Sequence, residues 1–420
     1  MAEFIVASTP FAGHVYPMAG LARALVARGH RVRFCTGRKY SDVARSTGAE
    51  WLPLVHAQDF DDTDPRASFP AMKSGESPAA VSSSFKELFF GSAPGQSEDL
   101  RSAHEETAAD AVIAEGTFFG AEIFSERTGV PFVTASLSTL GWPSRHLPPP
   151  GLPLHPGRTR AGKFRDAALR GALSTTVDRS FRRMHNDARA KAGLPPTARP
   201  GLHGAWSQRL VIAQGTEDIE PDRPDLPAHI HFVGDLAQGA RDTSSLPEWW
   251  EGLDPERSVI HVSEGTLGRN RVSLVRLAVD ALIDSGHQLV VSGQHHAGPL
   301  PEGVLTAPWI PHDLLFPRTA LFISNGGYGG MVAALSHGAP VLAVPASIEK
   351  WVGAGNVAAS GAARRLSPRR LEPQSLREVA IAMLEDSDLS ARARDVAHGF
   401  RAAGGPERAA QLCEEVAASG

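Results

Sequence analysis

Apolar and polar positions along the chain repeat one rhythm twice. FIVAST (4–9) is a short apolar run that predicts a buried strand, and HVYPMAGLARALVARGH then sets Leu21, Leu25 and Val26 at helical spacing before a stop at Gly29. RVRFCT (31–36) predicts the next strand. Strand, helix and strand follow again in ADAVIAEGTFFGAEIFSERTGVPFVTAS (109–136). From Ser258 the rhythm restarts with SVIHVSEGT and LVRLAVDALIDSGHQLVVSGQ. A strand over Ala320 to Ser324, a glycine cluster over Asn325 to Gly330, a helix, a second buried strand and an acidic loop come next. Such alternation builds parallel sheets covered on both faces. The fold class is therefore α/β, with two doubly wound parallel-sheet halves that hold ligands at the carboxyl ends of their strands, facing a central cleft. Between the halves, the proline-rich EPDRPDLPAHIHFVGDL (220–236) reads as a connection. The expected division is an N-terminal domain over 1–220, a linker over 221–237, a C-terminal domain over 238–400, and a terminal helix over 401–420 packing back towards the first domain.

At 420 residues the chain suits two cores of about 200 residues each. Its 42% apolar and 21% charged content is that of a globular protein, and a net charge of −4 argues against a nucleic-acid partner. The start, MAEFIVAST, has no cationic stretch and runs straight into a strand, so no signal peptide is expected. No run of about 18 apolar residues exists to span a membrane. Cys35 and Cys413 lie at opposite ends and read as reduced packing residues of a cytoplasmic protein. WPSRHLPPPGLPLHPGRTR (142–160) is a loop, and the helical stretch 158–191 carries ten Lys or Arg against three Asp. A solvated helix face accounts for that charge, because no strong apolar stripe accompanies it.

The richest chemistry lies in WIPHDLLFPRTALFISNGGYGGMVAALSHGAPVLAVPASIEK (309–350). Glycines between a buried strand and a helix bare backbone N–H groups at the positive end of the helix dipole, which suits a phosphate. Trp309 stands before the cluster as a base-stacking ring, and Glu349 after it as an acid for sugar hydroxyls. In the first half, His14 follows the first strand and Glu115 follows the strand DAVIA, so both occupy strand ends of one sheet. A carboxylate beside an imidazole fixes its tautomer and stabilises its cation. The acidic run DFDDTDP (59–65) offers Asp59-x-Asp61 and Asp62-x-Asp64, and His295-His296 are adjacent. The acids read as a surface loop and the histidines lack a third ligand nearby, so no metal is expected. A dinucleotide oxidoreductase would need G-x-G-x-x-G where TPFAGHVYP stands.

The 309–350 segment resembles the signature of family 1, GT-B fold glycosyltransferases, in the bacterial natural-product (antibiotic and macrolide) branch. That signature is W-x-P-[QH], a histidine or asparagine before G-G-x-G, then G-x-P and an acid. Trp309, Pro311, Asn325, Gly326, Gly327, Gly329, Gly338, Pro340 and Glu349 carry it here, and TPFAGHVYPMAGLARALVARGHRV and PEWWEGLDPERSVIHVSEGTL (247–267) extend it. The resemblance implies two Rossmann-like domains, the first for the acceptor and the second for a nucleotide-sugar. It implies an inverting, metal-independent hexosyltransferase that moves a deoxy or ordinary sugar to an apolar small molecule. His14 is then the base and Glu115 its partner, where the family's usual acid is aspartate. Gly265, Thr266, Trp309, Ile310, Asn325, Gly326, Gly327, Gly329, Gly330, Glu349 and Lys350 bind the donor. Phe11, Phe89, Phe118, Phe119 and Trp142 face the acceptor. Asn325 replaces a commoner histidine, and Glu264 stands where glutamine is usual and would repel phosphate unless turned away. Ala333 replaces a ribose-binding glutamate of many UDP-sugar users, which tilts the donor from UDP- towards dTDP-sugar. The co-substrate is thus a nucleotide-sugar with no cofactor, and the chain is expected as a monomer or weak homodimer without nucleic-acid or membrane-spanning partners. The alternatives are a non-catalytic helper of the same fold and a UDP-sugar-dependent transferase acting on a lipid.

Overall fold

The computed structural model describes residues 1–75, 77–199, 201–239, 246–265, 273–293, 298–369 and 371–419. Its first sheet comprises β1 (Glu3–Ala7), β2 (Arg31–Cys35), β3 (Glu50–Leu52), β4 (Ala111–Glu115), β5 (Phe132–Ser136), β6 (Val211–Gln214) and β7 (Ile230–Gly234). They lie in the order β3-β2-β1-β4-β5-β6-β7. The second holds β8 (Val259–Ser263), β9 (Gln288–Ser292), β10 (Leu305–Ala307), β11 (Thr319–Ser324), β12 (Val341–Ala343) and β13 (Ala363–Arg365), in the order β10-β9-β8-β11-β12-β13. Neighbouring strands pair in parallel in both. The expected α/β class with two doubly wound sheets is therefore the observed one.

Each sheet buries both faces, as its unbroken apolar strands require. Along β1, Phe4 and Val6 enter one core while Ile5 and Ala7 enter the other. Along β11, Leu321 and Ile323 face one core and Phe322 the opposite one. The Gly405–Ala418 helix sends Ala409, Ala410, Leu412, Cys413 and Val416 into the core beside β1, so the chain's end packs on the first half. Cys35 and Cys413 are both buried and unbonded.

One boundary needs correction. The stretch expected as a linker, 221–237, contains β7, which pairs with β6 from Ile230 to Gly234 and completes the first sheet. Its prolines precede the strand, so the ladder loses no donor.

Strand order reverses between β1 and β4 in the first sheet and between β8 and β11 in the second. Loops leaving adjacent strands in opposite directions open a crevice at such a point, and ligands bind there. His14 follows β1 and Glu115 ends β4; Gly265 follows β8 and Asn325 follows β11.

Candidate active site

At the first switch point the Ala12–Ala27 helix starts without a side-chain cap from its own N-cap residue, Phe11. Asp62 substitutes: its Oδ2 accepts from the Ala12 N–H at 3.0 Å and from the Tyr40 hydroxyl at 2.7 Å. His14 sits in the helix's first turn, with Nδ1 3.3 Å from Oε2 of Glu115. The histidine side chain is 28% exposed and the glutamate 2%. Around Glu115, Oε1 accepts from Thr9 Oγ1 at 2.5 Å and Thr117 Oγ1 at 2.6 Å, while Oε2 accepts from the Thr117 N–H at 2.8 Å.

Burial pushes the Glu115 carboxyl up, but His14, Thr117 and Thr9 outweigh it and hold the group down at about 2. Burial likewise acts to lower His14, and the Glu115 charge beside it overcomes that effect. With smaller help from Glu349 and Asp62, the imidazole is raised above its ordinary value. The longer glutamate side chain brings its carboxylate to 3.3 Å from Nδ1, an ion-pair contact, and leaves Nε2 for a substrate proton. Thr9 and Thr117 escaped the sequence reading, although each stands just beyond a strand that ends at the site.

At the second switch point Gly326 adopts φ +78°, and a Cβ there would lie 3.0 Å from Pro345, so the turn requires glycine. Gly327 is the N-cap of the Tyr328–Ser336 helix, which presents first-turn N–H groups at its start. Gly329 is exposed there, and Gly330 packs towards Phe322. Asn325 is buried with its amide engaged: Nδ2 donates to the Glu264 carbonyl and Oδ1 accepts from the Gly327 N–H at 3.2 Å. It ties the ends of β8 and β11 together and holds the turn, so its amide is not left free for the donor that it is expected to bind.

Glu264 is turned away. Its Oε1 accepts from Ser273 Oγ at 2.8 Å and from the Val275 N–H at 2.9 Å, at the start of the Leu274–Leu282 helix. The feared repulsion therefore finds another use, as an anion at a helix N-terminus. Thr266 and the pair His295-His296 lie outside the described residues.

Two further donor-side expectations change. Ile310 is buried in the apolar cluster with Val259, Val290 and Leu315, so its side chain does not face the donor. Ala333 is buried against the cluster of Phe316 and Phe322, so its methyl group is core and offers no open face to a ribose. Trp309 is half-buried beyond the end of β10. Glu349 and Lys350 occupy the first turn of the Ile348–Ala359 helix and line the cleft.

A cavity of about 2240 Å³ is lined by His14 and Glu115 from the first half and by Ser347, Glu349 and Lys350 from the second; the glycine turn and Trp309 are not among its lining residues. Its aromatic wall includes Phe85, Phe89, Trp142, Phe181 and Trp206. Phe89 and Trp142 thus stand on the cavity wall, and Phe11 lies alongside, its ring 5.4 Å from that of His14. Phe118 and Phe119 do not: both are 2% exposed, and Phe119 stacks on Phe90 at 4.2 Å. They close the turn into the Gly120–Thr128 helix with their rings packed inward. Phe85, Phe181 and Trp206 are the rings that line the cavity in their stead.

The acidic loop is committed elsewhere. Lys39 Nζ donates to Asp61 at 2.6 Å and to Asp62 at 2.5 Å, and Asp59 accepts from the Arg38 N–H at 3.0 Å. Among the described residues no helix is long and apolar enough to cross a membrane.

Residues 276–416 match the family model of the erythromycin biosynthesis protein CIII-like C-terminal domain. The chain is 33% identical over 400 residues to 4'-demethylrebeccamycin synthase of Lentzea aerocolonigenes, covering 94% of this chain and 95% of that one. In three dimensions it is similar to the glycotransferase of kitacinnamycin, with a TM-score of 0.75 and 22% identity over 99% of both chains. It is also similar to the glycosyltransferase VinC in complex with dTDP, with a TM-score of 0.70 and 20% identity over 100% of both chains.

Proposed function

The chain belongs to the GT-B glycosyltransferases of bacterial natural-product pathways, and we propose that it moves a sugar from a dTDP-sugar to an apolar small-molecule acceptor with inversion and without a metal. The observation that carries this reading is the His14–Glu115 pair at one switch point, opening on the same cavity as Glu349 beside the other. In the transfer, the acceptor oxygen forms its bond to the anomeric carbon from the face opposite the diphosphate. The bond from that carbon to the β-phosphate oxygen breaks, and the acceptor proton passes to Nε2 of His14. Glu115 stabilises the imidazolium that results. Negative charge growing on the departing diphosphate meets N–H groups at the start of the Tyr328–Ser336 helix, fixed donors that need no reorganisation. Gly329 and Gly330 supply those N–H groups, while Gly265, Gly326 and Gly327, whose own N–H groups donate to Ser263 Oγ, Ser324 Oγ and Asn325 Oδ1, shape the turns around them, and Thr266 is assigned to the site from the sequence alone. Trp309 stacks on the base, and Glu349 and Lys350 meet the sugar.

For the nucleotide, dTDP is favoured by the similarity to VinC, which was solved in complex with dTDP. The Ala333 argument lends nothing, since that side chain is core. Calorimetric titration of dTDP and UDP side by side tests the assignment, followed by mass spectrometry of apolar acceptors incubated with several dTDP- and UDP-sugars. The expectation is dTDP affinity at least equal to that of UDP and acceptors heavier by one sugar residue. A clear preference for UDP would overturn the nucleotide assignment, and nucleotide binding without transfer to any acceptor would favour the helper alternative.

A further inference from the structure

We propose that Tyr328 and Glu220 form a latch through which the glycine turn of the second half positions the acceptor-facing loop of the first, so that donor binding sets the acceptor wall. The proposal rests on the reading of that turn as the diphosphate cradle.

Tyr328 interrupts the glycine cluster and is the first residue of the helix that the cluster opens. Its hydroxyl leaves its own half. It donates to the carbonyl of Gln214, the last residue of β6, at 3.0 Å and lies 3.3 Å from Oε1 of Glu220. Room for it is built in: Gly215 adopts φ +104°, and a Cβ there would stand 2.4 Å from the hydroxyl oxygen. A tyrosine needed only for packing would require neither partner nor gap, since the ring alone would serve.

Glu220 passes the contact on. It is 8% exposed, and Oε1 also accepts from the Leu140 N–H at 3.1 Å. Oε2 accepts from Arg223 Nη1 at 3.2 Å, and Arg223 Nη2 donates to the Leu140 carbonyl at 2.5 Å. Both backbone groups of Leu140 are thereby fixed by one buried ion pair. Leu140, Gly141 and Trp142 line the cavity on the acceptor side. A shift of the helix start around a diphosphate must therefore either carry Glu220 and Leu140 with it or break hydrogen bonds held out of water. Neighbouring Ile219 is fully buried in the core beside β11 and β12, which anchors this segment in the second half.

The test uses full-length Tyr328→Phe, Glu220→Gln and the double variant, with calorimetry for dTDP and UDP and hydrogen exchange over residues 137–142. In the wild type, nucleotide binding should slow exchange in that loop. Tyr328→Phe should abolish the response and weaken the nucleotide about 3–10-fold, the scale of one hydrogen bond. The double variant should be weaker than the wild type by less than the two single effects combined, because the two residues share one interaction. Ile219→Val, which loosens packing and leaves the hydrogen bonds alone, should lower Tm and keep the response. Tyr328→Phe with wild-type affinity and an intact loop response would overturn the latch alone. Failure of the wild type to bind either nucleotide would overturn the donor-site reading and the latch together.

Discussion

Replacing Glu115 with Gln removes one charge and almost no volume, which isolates the carboxylate's effect on His14. The charge lies 3.3 Å from Nδ1 and is the principal influence raising the imidazole against its burial. An opposite charge at such range is worth about 1–3 pKa units. A base works unprotonated, so in the wild type the rising limb of kcat/KM against pH should lie above the ordinary histidine value of about 6.5. In Glu115→Gln, burial remains and the raising charge is gone, so the limb should move down in pH. The plateau should fall as well. The imidazolium formed in the transition state loses the same interaction, at about 1.36 kcal/mol per unit, which makes the loss about 10- to 10³-fold. Initial rates between pH 5 and 9, with saturating donor and limiting acceptor, give both quantities. A lower plateau with an unmoved limb would refute the reasoning and reduce Glu115 to an anchor for Thr9 and Thr117.

The same pair fixes a stability trend with acid: Glu115 lies below its ordinary value, so its stabilisation is present at neutral pH and is lost as pH falls towards about 2. Acid unfolding of Glu115→Gln should accordingly be shallower than that of the wild type, and coincident curves would contradict this. Trp309→Ala should weaken nucleotide binding by about 1–3 kcal/mol, the range for a ring stacked on a base; calorimetry with unaltered affinity would make the ring a packing residue. Asp62→Ala should cost about 0.5–2 kcal/mol, since it removes the cap of the helix that carries His14. Urea melts with an unchanged midpoint would count against that role.

The architecture was legible because strands buried on both faces read as unbroken apolar runs, and because glycine marks the turn after β11. His14 and Glu115 were legible for a topological reason: each follows a strand end, and the reversal of strand order sets those ends side by side. What stayed hidden depends on direction or distance. Spacing cannot say which way Phe118 and Phe119 point within a tight turn, and the turn packs both inward. Glu264 caps a helix that begins at Leu274, a partnership invisible until the chain folds back. β7 was masked by the prolines ahead of it, and Tyr328 looked like an interruption among glycines because its partners lie far off in sequence, Gln214 at the end of β6 and Glu220 in the connection from β6 to β7.

The central claim is that His14 takes the acceptor's proton at the cleft, and turnover of His14→Ala measures it most directly. With a dTDP-sugar and an acceptor glycosylated by the wild type, product formation followed by mass spectrometry should fall at least about 10²-fold, the lower end for a general base. Affinity for dTDP, measured on the same preparation, should stay within error of the wild type. Near-normal turnover on an O-linked product, with the nucleotide still bound, would contradict the account by removing His14 from the reaction.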